Sequence, residues 1–480
     1  MIAWIIASIL FPVGGGLLVL VAPAHWVKRV SVLAALLGAA SSLAALVEFA
    51  RTGRVALTQS VLSVAGLPVL GIVVDDVSAL VGLAMVFVGF LVVVYSTGYL
   101  TGGNREHPEP EVRRRYYFFL LVFIGAMAGL VYSSTMLGLL VFFEITGVCS
   151  WGLIGYYDRP QALRAALKAL IVTHLASLGL YLAAAYLFVS SGSFDLAALA
   201  GVDETAKLVI FSGLLVACWG KSAQLPLQFW LPEAMEAPTP ISAYLHAGAM
   251  VKVGVYIFAR ALLAAGDVPR QIGIVGAVMA VVTLVYGFVM YFPQKDLKRL
   301  LAYSTITQLA YIFLALSLSI FGSRLAFRGG IAHLFNHAFA KSLFFLVAGA
   351  LSYTTGTHLL PALKGVMTRV PLAGVSFAVA ALAVTGVPTF NCFFSKFSIF
   401  AGGFEAARAV PVLLVLVVVA VLESVGSFVW FLRWYGRTMT GQPSKAVQAA
   451  VELPAAMQIV LVVLIAMTLV SGYLAAAWLV

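Results

Sequence analysis

The chain has 480 residues, 62% of them hydrophobic and only 10% charged, with a mean hydropathy of +1.06. A soluble domain is about half apolar and about a quarter charged, so a soluble enzyme, a disordered chain, a coiled coil and a collagen-like fibre are all excluded. What remains is an all-α integral membrane protein; its apolar runs are continuous rather than alternating at every second residue, which excludes a β-barrel.

The N-terminus opens directly into an apolar run, with no basic leader and no small-residue cleavage site, so it reads as a first spanning helix and not a signal peptide. A crossing needs ~20 apolar residues. That window yields about fourteen crossings, centred near Gly14, Leu36, Phe87, Val122, Thr146, Ser177, Leu214, Val251, Val282, Ile312, Phe339, Ala383, Val417 and Ile465. The whole chain, 1–480, is one polytopic domain, with no polar stretch long enough for a separate soluble one.

The net charge is +11, from 29 Lys+Arg against 18 Asp+Glu. On a soluble protein this would point to nucleic acid; here the loops carry it, so the partner is the lipid bilayer and no nucleic acid is expected. Connections after odd-numbered crossings hold sixteen basic residues, Lys28, Arg113 to Arg115, Lys295 and Arg437 among them. Connections after even-numbered crossings hold eight, including Arg51, Arg270 and Arg324. By the positive-inside rule the odd connections are cytoplasmic and both termini lie on the outer side. Cys149, Cys218 and Cys392 are scattered, with no metal or disulfide spacing.

The remaining five basic residues, Lys168, Lys221, Lys252, Lys341 and Lys396, lie inside apolar helices, and no arginine accompanies them. A buried lysine can release its proton, whereas arginine cannot. Five unpaired charges at mid-membrane would cost on the order of 12–17 kcal/mol on insertion scales, an upper bound if some are interfacial. Intramembrane ionisable groups of this kind mark ion pathways; the alternative is interhelical glue through salt bridges.

In chain order, Glu144 is the clearest intramembrane acid, in LLVFFEITGVCSWGLIGYY. Two crossings on, Lys221 precedes Pro226, which breaks a helix. A break at membrane depth must be buried or line a hydrated cavity, which puts Lys221 within reach of water with Glu144 as its expected partner. Glu233 and Glu236 follow, facing a vestibule or serving as ordinary interface residues. The next crossing carries His246 and Lys252. His333, His337 and Lys341 then recur at spacings of four, on one helix face. Histidine suits a proton relay; a metal site from His333 and His337 lacks an evident third ligand. For His174 and His246 a plain core histidine is the alternative. A second break at Pro388 precedes Lys396, with Glu423 in the following helix as a counter-charge. Matching breaks in crossings seven and twelve point to two inverted five-helix repeats, about 116–264 and 270–433.

These segments resemble the antiporter-like membrane subunits shared by respiratory complex I, multisubunit cation/proton antiporters and group 4 membrane-bound hydrogenases. The resemblance is carried by the Glu144 segment, the block from Lys221 to Arg260, KDLKRLLAYSTITQLAYIF, NHAFAKSLFFLVAGAL and GVPTFNCFFSKF. VYSTGYLTGGNREHPEP, LSIFGSRLAF and VLESVGSFVWFLRWYGR look closest to the hydrogenase-4, formate hydrogenlyase-type branch. Two residues depart from the family pattern: Thr389 stands where a second proline is frequent and Cys392 where glycine is usual. The long lateral C-terminal helix of the largest complex I member of the family is not expected.

The resemblance implies fourteen helices in two inverted repeats and proton movement along a central hydrated axis in a prokaryotic cytoplasmic membrane. It assigns proton transfer to Glu144 and Lys221 as a coupled pair, to His246, Lys252, His333, His337 and Lys341 as the relay, and to Lys396 as the terminal group. Lys168, Glu423 and Glu236 are additional candidates. It implies no cofactor in this chain and no catalysis by it alone. Nickel–iron and iron–sulfur centres would sit in peripheral hydrogenase subunits, joined by a small membrane anchor and other antiporter-like subunits. Alternatives are a sodium/proton antiporter assembly, a complex I-like dehydrogenase, and a non-pumping scaffold.

Overall fold

The computed structural model describes residues 1–479. Twelve helices are long and apolar enough to cross a membrane. Two further crossings are interrupted: the seventh, Glu204–Lys221 followed by a break and the short turns Trp230–Glu233 and Ala234–Glu236, and the twelfth, Pro371–Thr385 and Asn391–Ala409. Together they make fourteen, and every centre read from the sequence falls in its helix.

These twelve are Ile2–Val21, Ala24–Arg51, Asp76–Tyr99, Arg114–Val131, Met136–Ile154 and Pro160–Ser191 (one to six), Thr239–Ala265, Arg270–Val289, Leu297–Ser319 and Arg324–Thr355 (eight to eleven), and Leu413–Met439 and Ala455–Leu479 (thirteen and fourteen). Crossing eleven is the hub. Its apolar window is wholly buried, whereas crossings one, thirteen and fourteen mostly face outward. Crossings ten, twelve and fourteen pack around it. Small residues let helices approach closely where no water-driven force assists: a Cβ on Gly213 would lie 2.5 Å from the Gly179 carbonyl oxygen, so crossings six and seven touch backbone to backbone.

The connections sort into two faces, as the basic residues do. On the odd face, Arg105 N–H donates to Tyr353 O, Leu360 N–H to Lys295 O and Val451 N–H to Thr354 O, joining the connections after crossings three, nine, eleven and thirteen. On the even face, Ser134 N–H donates to Gly71 O and Leu196 N–H to Ser134 O, joining those after two, four and six. The element not foreseen is a hairpin between crossings two and three, β1 (Leu57–Val64) paired antiparallel with β2 (Leu67–Val74). β1 is exposed along its length; the polar–apolar mixture of TQSVLSV gives no membrane signal and too short a run to stand out.

Both expected breaks are present. In crossing seven, Lys221 ends the helix, where the exposed carbonyls favour a cation. Trp230 Nε1 donates to Gly220 O and Ser222 Oγ to Val251 O, closing the freed ends. In crossing twelve, Gly386 and Thr389 both adopt positive φ (84° and 82°). Thr389, the departure from the family pattern, thus takes a conformation in which proline is impossible. Crossing eight carries a third irregularity that the sequence did not announce: a π-helical turn, Tyr244–Gly248, containing His246, then Ala249 outside the helical region. Such turns are rare and recur at functional sites.

Candidate ion-transfer axis

The titratable groups fall into an interior set running from His246 to Lys396 and, ahead of it, the separate positions of Glu144 and Lys221. At one end, Glu144 sits on the outward flank of crossing five. Its Oε2 lies 3.0 Å from His174 Nδ1 on crossing six, and its Oε1 has no partner among the described residues. Lys221 does not meet this carboxylate. Its amine donates to the Phe143 carbonyl at 2.9 Å and lies 4.1 Å from the centre of that ring. Successive helical side chains diverge by about 100°, so a lysine held at residue 143 leaves the neighbouring carboxylate turned away. Lys221 thus docks at the residue next to Glu144 on crossing five, yet amine and carboxylate form no ion pair within 4.0 Å among the described residues.

His246 is fully buried in the irregular turn of crossing eight and stacks on Phe345, ring centres 5.0 Å apart. Lys341 lies one turn from Phe345 on crossing eleven, its amine 6.0 Å from the same ring. His337 follows, stacked on His333 at 5.9 Å. Lys252 reaches from crossing eight to donate to the Leu334 carbonyl at 2.7 Å. His333 is held on both nitrogens, by Ser395 Oγ at 2.9 Å and Gln308 Oε1 at 3.0 Å. The spacing of four does place His333, His337 and Lys341 along one face.

Both nitrogens of His246, both of His337 and the Lys341 amine lack any hydrogen-bond partner among the described residues, as do Ser242 Oγ, Ser342 Oγ and Gln308 Nε2. A buried polar group left unpaired costs about 1–3 kcal/mol, and native interiors satisfy such groups with ordered water. So dense a cluster, drawn from the facing sides of crossings eight, ten and eleven, is what a water file requires of its walls.

At the far end, Lys396 donates to Ser424 Oγ at 3.1 Å and lies 4.4 Å from the centre of the Tyr311 ring. The Tyr311 hydroxyl donates to Glu423, as does Ser427. Asn336 and Asn391 donate to each other's backbone carbonyls at 2.9 and 2.8 Å, fixing the second half of crossing twelve to crossing eleven. Lys168 stands apart from the line: it is 39% exposed and ion-paired with Glu233 at 2.5 Å, beside Glu236 in a cavity of about 640 Å³ on the odd face. Lys168 sits in the first part of its helix, and Glu233 and Glu236 line the same cavity.

Sequence reasoning passed over Gln308, Ser395, Ser424 and Tyr311, all neutral residues whose role depends on which charged neighbour the fold gives them. It also weighed His174 as a core histidine, whereas its side chain is 57% exposed. The signal available was the apolar surround: a histidine flanked by Ile171, Leu175 and Leu178, all outward-facing.

Fold and axis define a polytopic membrane subunit of antiporter-like architecture. The chain belongs to the family described as NADH:quinone oxidoreductase/Mrp antiporter, TM, whose pattern matches residues 133–423. Among relatives, it is 36% identical over 364 residues to the chloroplastic NAD(P)H-quinone oxidoreductase subunit 5 of Zygnema circumcarinatum, covering 72% of this chain and 49% of that one. It is 34% identical over 428 residues to a Na(+)/H(+) antiporter subunit of Alkalihalophilus pseudofirmus, covering 83% and 52%. The chain spans about half the length of these curated relatives. In solved structures, one polypeptide of the Mrp complex from Dietzia sp. superposes with a TM-score of 0.86 at 27% identity, over 99% of this chain and 51% of that one. One polypeptide of the membrane-bound sulfane sulfur reductase, an archaeal respiratory membrane complex, gives 0.84 at 25% identity, over 99% and 95%.

Proposed function

We propose that this chain is a proton-translocating subunit of a larger membrane complex. Protons would move along the line Glu144–Lys221–His246–Lys341–His337–His333/Lys252–Lys396, with Glu423 beyond it and two inverted repeats, 116–264 and 270–433, supplying one half-path each. The observation that carries this is the unpaired amine and imidazoles of Lys341 and His337 on one buried face of crossing eleven and of His246 on crossing eight beside it. A proton moved against ~150 mV costs about 3.5 kcal/mol, equivalent to a swing of ~2.5 pKa units at the gate. Carrying the Glu144 carboxylate between His174 and Lys221 is the movement that would supply it. Charge relocation in a neighbouring membrane partner would drive it.

Partner subunits are part of this reading. Glu144 and His174 form a polar pair on a flank whose other residues, Val141, Val148 and Leu175 among them, face outward. Ionisable groups in the membrane seldom face lipid, so this flank is where a second membrane protein of the complex would pack.

Two assemblies compete. The motif resemblance supports the role of a hydrogenase-4 membrane component in a formate hydrogenlyase-type complex, with nickel–iron and iron–sulfur centres in peripheral subunits. The identity to a sodium/proton antiporter component over 83% of this chain supports an Mrp-type assembly. In either, the odd connections face the cytoplasm of a prokaryote and the chain itself does no redox chemistry. Copurification separates them: a nickel–iron large subunit selects the first, and antiporter subunits without redox proteins select the second.

Transport is tested with the purified complex in proteoliposomes. Glu144→Gln and Lys221→Arg should each leave assembly intact and stop proton uptake, the arginine because it keeps charge but cannot release a proton. Undiminished uptake in both variants would overturn the proposal. Varying sodium at fixed pH separates proton from sodium as the carried ion.

A further inference from the structure

A cavity of about 910 Å³ lies away from the axis, on the even face. It is bounded by the ends of crossings eight, ten and fourteen and the starts of crossings three, nine and eleven. Arg270 is the first residue of crossing nine and Arg324 the first of crossing eleven, with Arg328 one turn further on the same face. All three line the cavity, and none has a carboxylate within 4.0 Å among the described residues.

The acids nearby are mostly engaged. Asp76 is ion-paired with Arg54 at 2.6 Å, and Asp75 with Arg260. Glu405 accepts from Ser323 Oγ at 2.7 Å. Asp267 is the rim carboxylate outside any ion pair among the described residues, so three arginines and one aspartate leave the rim at +2. Below the rim the wall turns apolar, with Leu263, Phe327 and Ile331. A basic ring at the level where helices begin, above an apolar wall, has the polarity of a phospholipid at the interface.

We propose that this cavity binds one anionic phospholipid of the phosphatidylglycerol class, its phosphate among Arg270, Arg324 and Arg328 and its acyl chains along Phe327 and Ile331. A free phosphate shares the headgroup chemistry but makes no use of the apolar wall. A lipid here would tie crossings three and fourteen to the second half of the chain, at the end remote from the Lys168 vestibule.

The test uses the intact complex, stripped of lipid by detergent exchange and titrated separately with phosphatidylglycerol, phosphatidylcholine and inorganic phosphate. Thermal unfolding and native mass spectrometry are the two readouts. Phosphatidylglycerol should raise the unfolding temperature and remain bound in the spectrum. Arg270→Gln, Arg324→Gln and Arg328→Gln combined should move its dose response by roughly a hundredfold, about fivefold per arginine, and remove one retained lipid. The arginines are exposed, so the variant should fold. An equal response to phosphatidylcholine, no response to any lipid, or an unchanged response in the triple variant would overturn the proposal. The same stabilisation by inorganic phosphate alone would replace the lipid with a free anion and overturn it equally.

Discussion

The Lys396 amine lies 4.4 Å from the centre of the Tyr311 ring, and the hydroxyl of that tyrosine donates to the Glu423 carboxylate. The cation and the acid that the sequence pairs with it thus both contact one aromatic side chain. The ring face steadies the amine while the hydroxyl steadies the carboxylate. The direct hydrogen bonds of Lys396 go to Ser424 and to the Thr385 carbonyl that the break in crossing twelve exposes. On the proposed route, a proton leaving Lys396 would meet Ser424 and the Tyr311 side chain before Glu423, with no ion pair among the described residues to break first.

Tyr311→Phe tests that arrangement. The ring and its contact with Lys396 remain while the donor to Glu423 is lost. A hydrogen bond to a charged group is worth about 1.5–3 kcal/mol, so proton uptake should fall at least about tenfold with assembly unchanged. Tyr311→Leu removes the ring as well and should cost more. Wild-type uptake in the phenylalanine variant would remove Tyr311 from the route.

The Glu144–His174 flank gives a prediction about assembly. If another membrane protein covers it, His174→Trp inserts bulk into a packed interface and should reduce copurifying membrane partners severalfold, while the chain itself inserts and folds. Lipid would accommodate the same tryptophan. Partner recovery at the wild-type level on a native gel would mean that this flank faces acyl chains.

Much of this was legible beforehand. Continuous apolar runs fix fourteen crossings because the bilayer sets one length scale for all of them, and Pro226 and Pro388 announce two breaks because proline lacks the N–H a helix needs. The spacing of His333, His337 and Lys341 gives their shared face for the same geometric reason. The irregular turn at His246 was hidden: it has no proline, and the close fit of Gly248 against Tyr244 and Val88 belongs to tertiary packing. The direction of Glu144 was hidden too, since sequence gives its helix but not which neighbour reaches it first. Neutral partners such as Gln308 and Ser395 carry no signal until the fold sets them against a histidine.

Stability of the first half should depend on the bare contact between crossings six and seven. A Cβ at Gly213 would meet the Gly179 carbonyl at 2.5 Å, and backbone atoms cannot swing aside as a flexible side chain does. Gly213→Ala should destabilise by about 1–3 kcal/mol, the usual range for overpacking. The cost should appear as a lower unfolding temperature of the purified complex. An unchanged temperature would show that the two helices have room to part.

One pH dependence of stability is built into the connections outside the crossings. His358, in the connection after crossing eleven, has Nε2 2.9 Å from Asp296 Oδ2 and Nδ1 2.6 Å from Glu106 Oε1. It thereby joins three odd-face connections. Burial works against its charge, but the Asp296 and Glu106 carboxylates outweigh burial and hold the imidazole up at about 9. For the two acids, burial opposes ionisation and His358 more than offsets it, so both sit below the usual carboxylate range. Lys298 adds to this on both acids, and His107 on Glu106. A raised imidazole contributes stability that is complete below its unfolded value near 6.5 and is lost as pH rises through about 9. Depressed carboxylates contribute stability that is present above their unfolded values of about 4 and lost as pH falls below them. The clamp is therefore whole from about pH 5 to 6.5 and should weaken on the alkaline side first, losing on the order of 3 kcal/mol by about pH 9. His358→Gln keeps size and polarity but removes the charge. It should unfold at a lower temperature at pH 7 and converge with the wild type by pH 10, and a gap between the two that stays constant from pH 7 to 10 would show that no charge is held there.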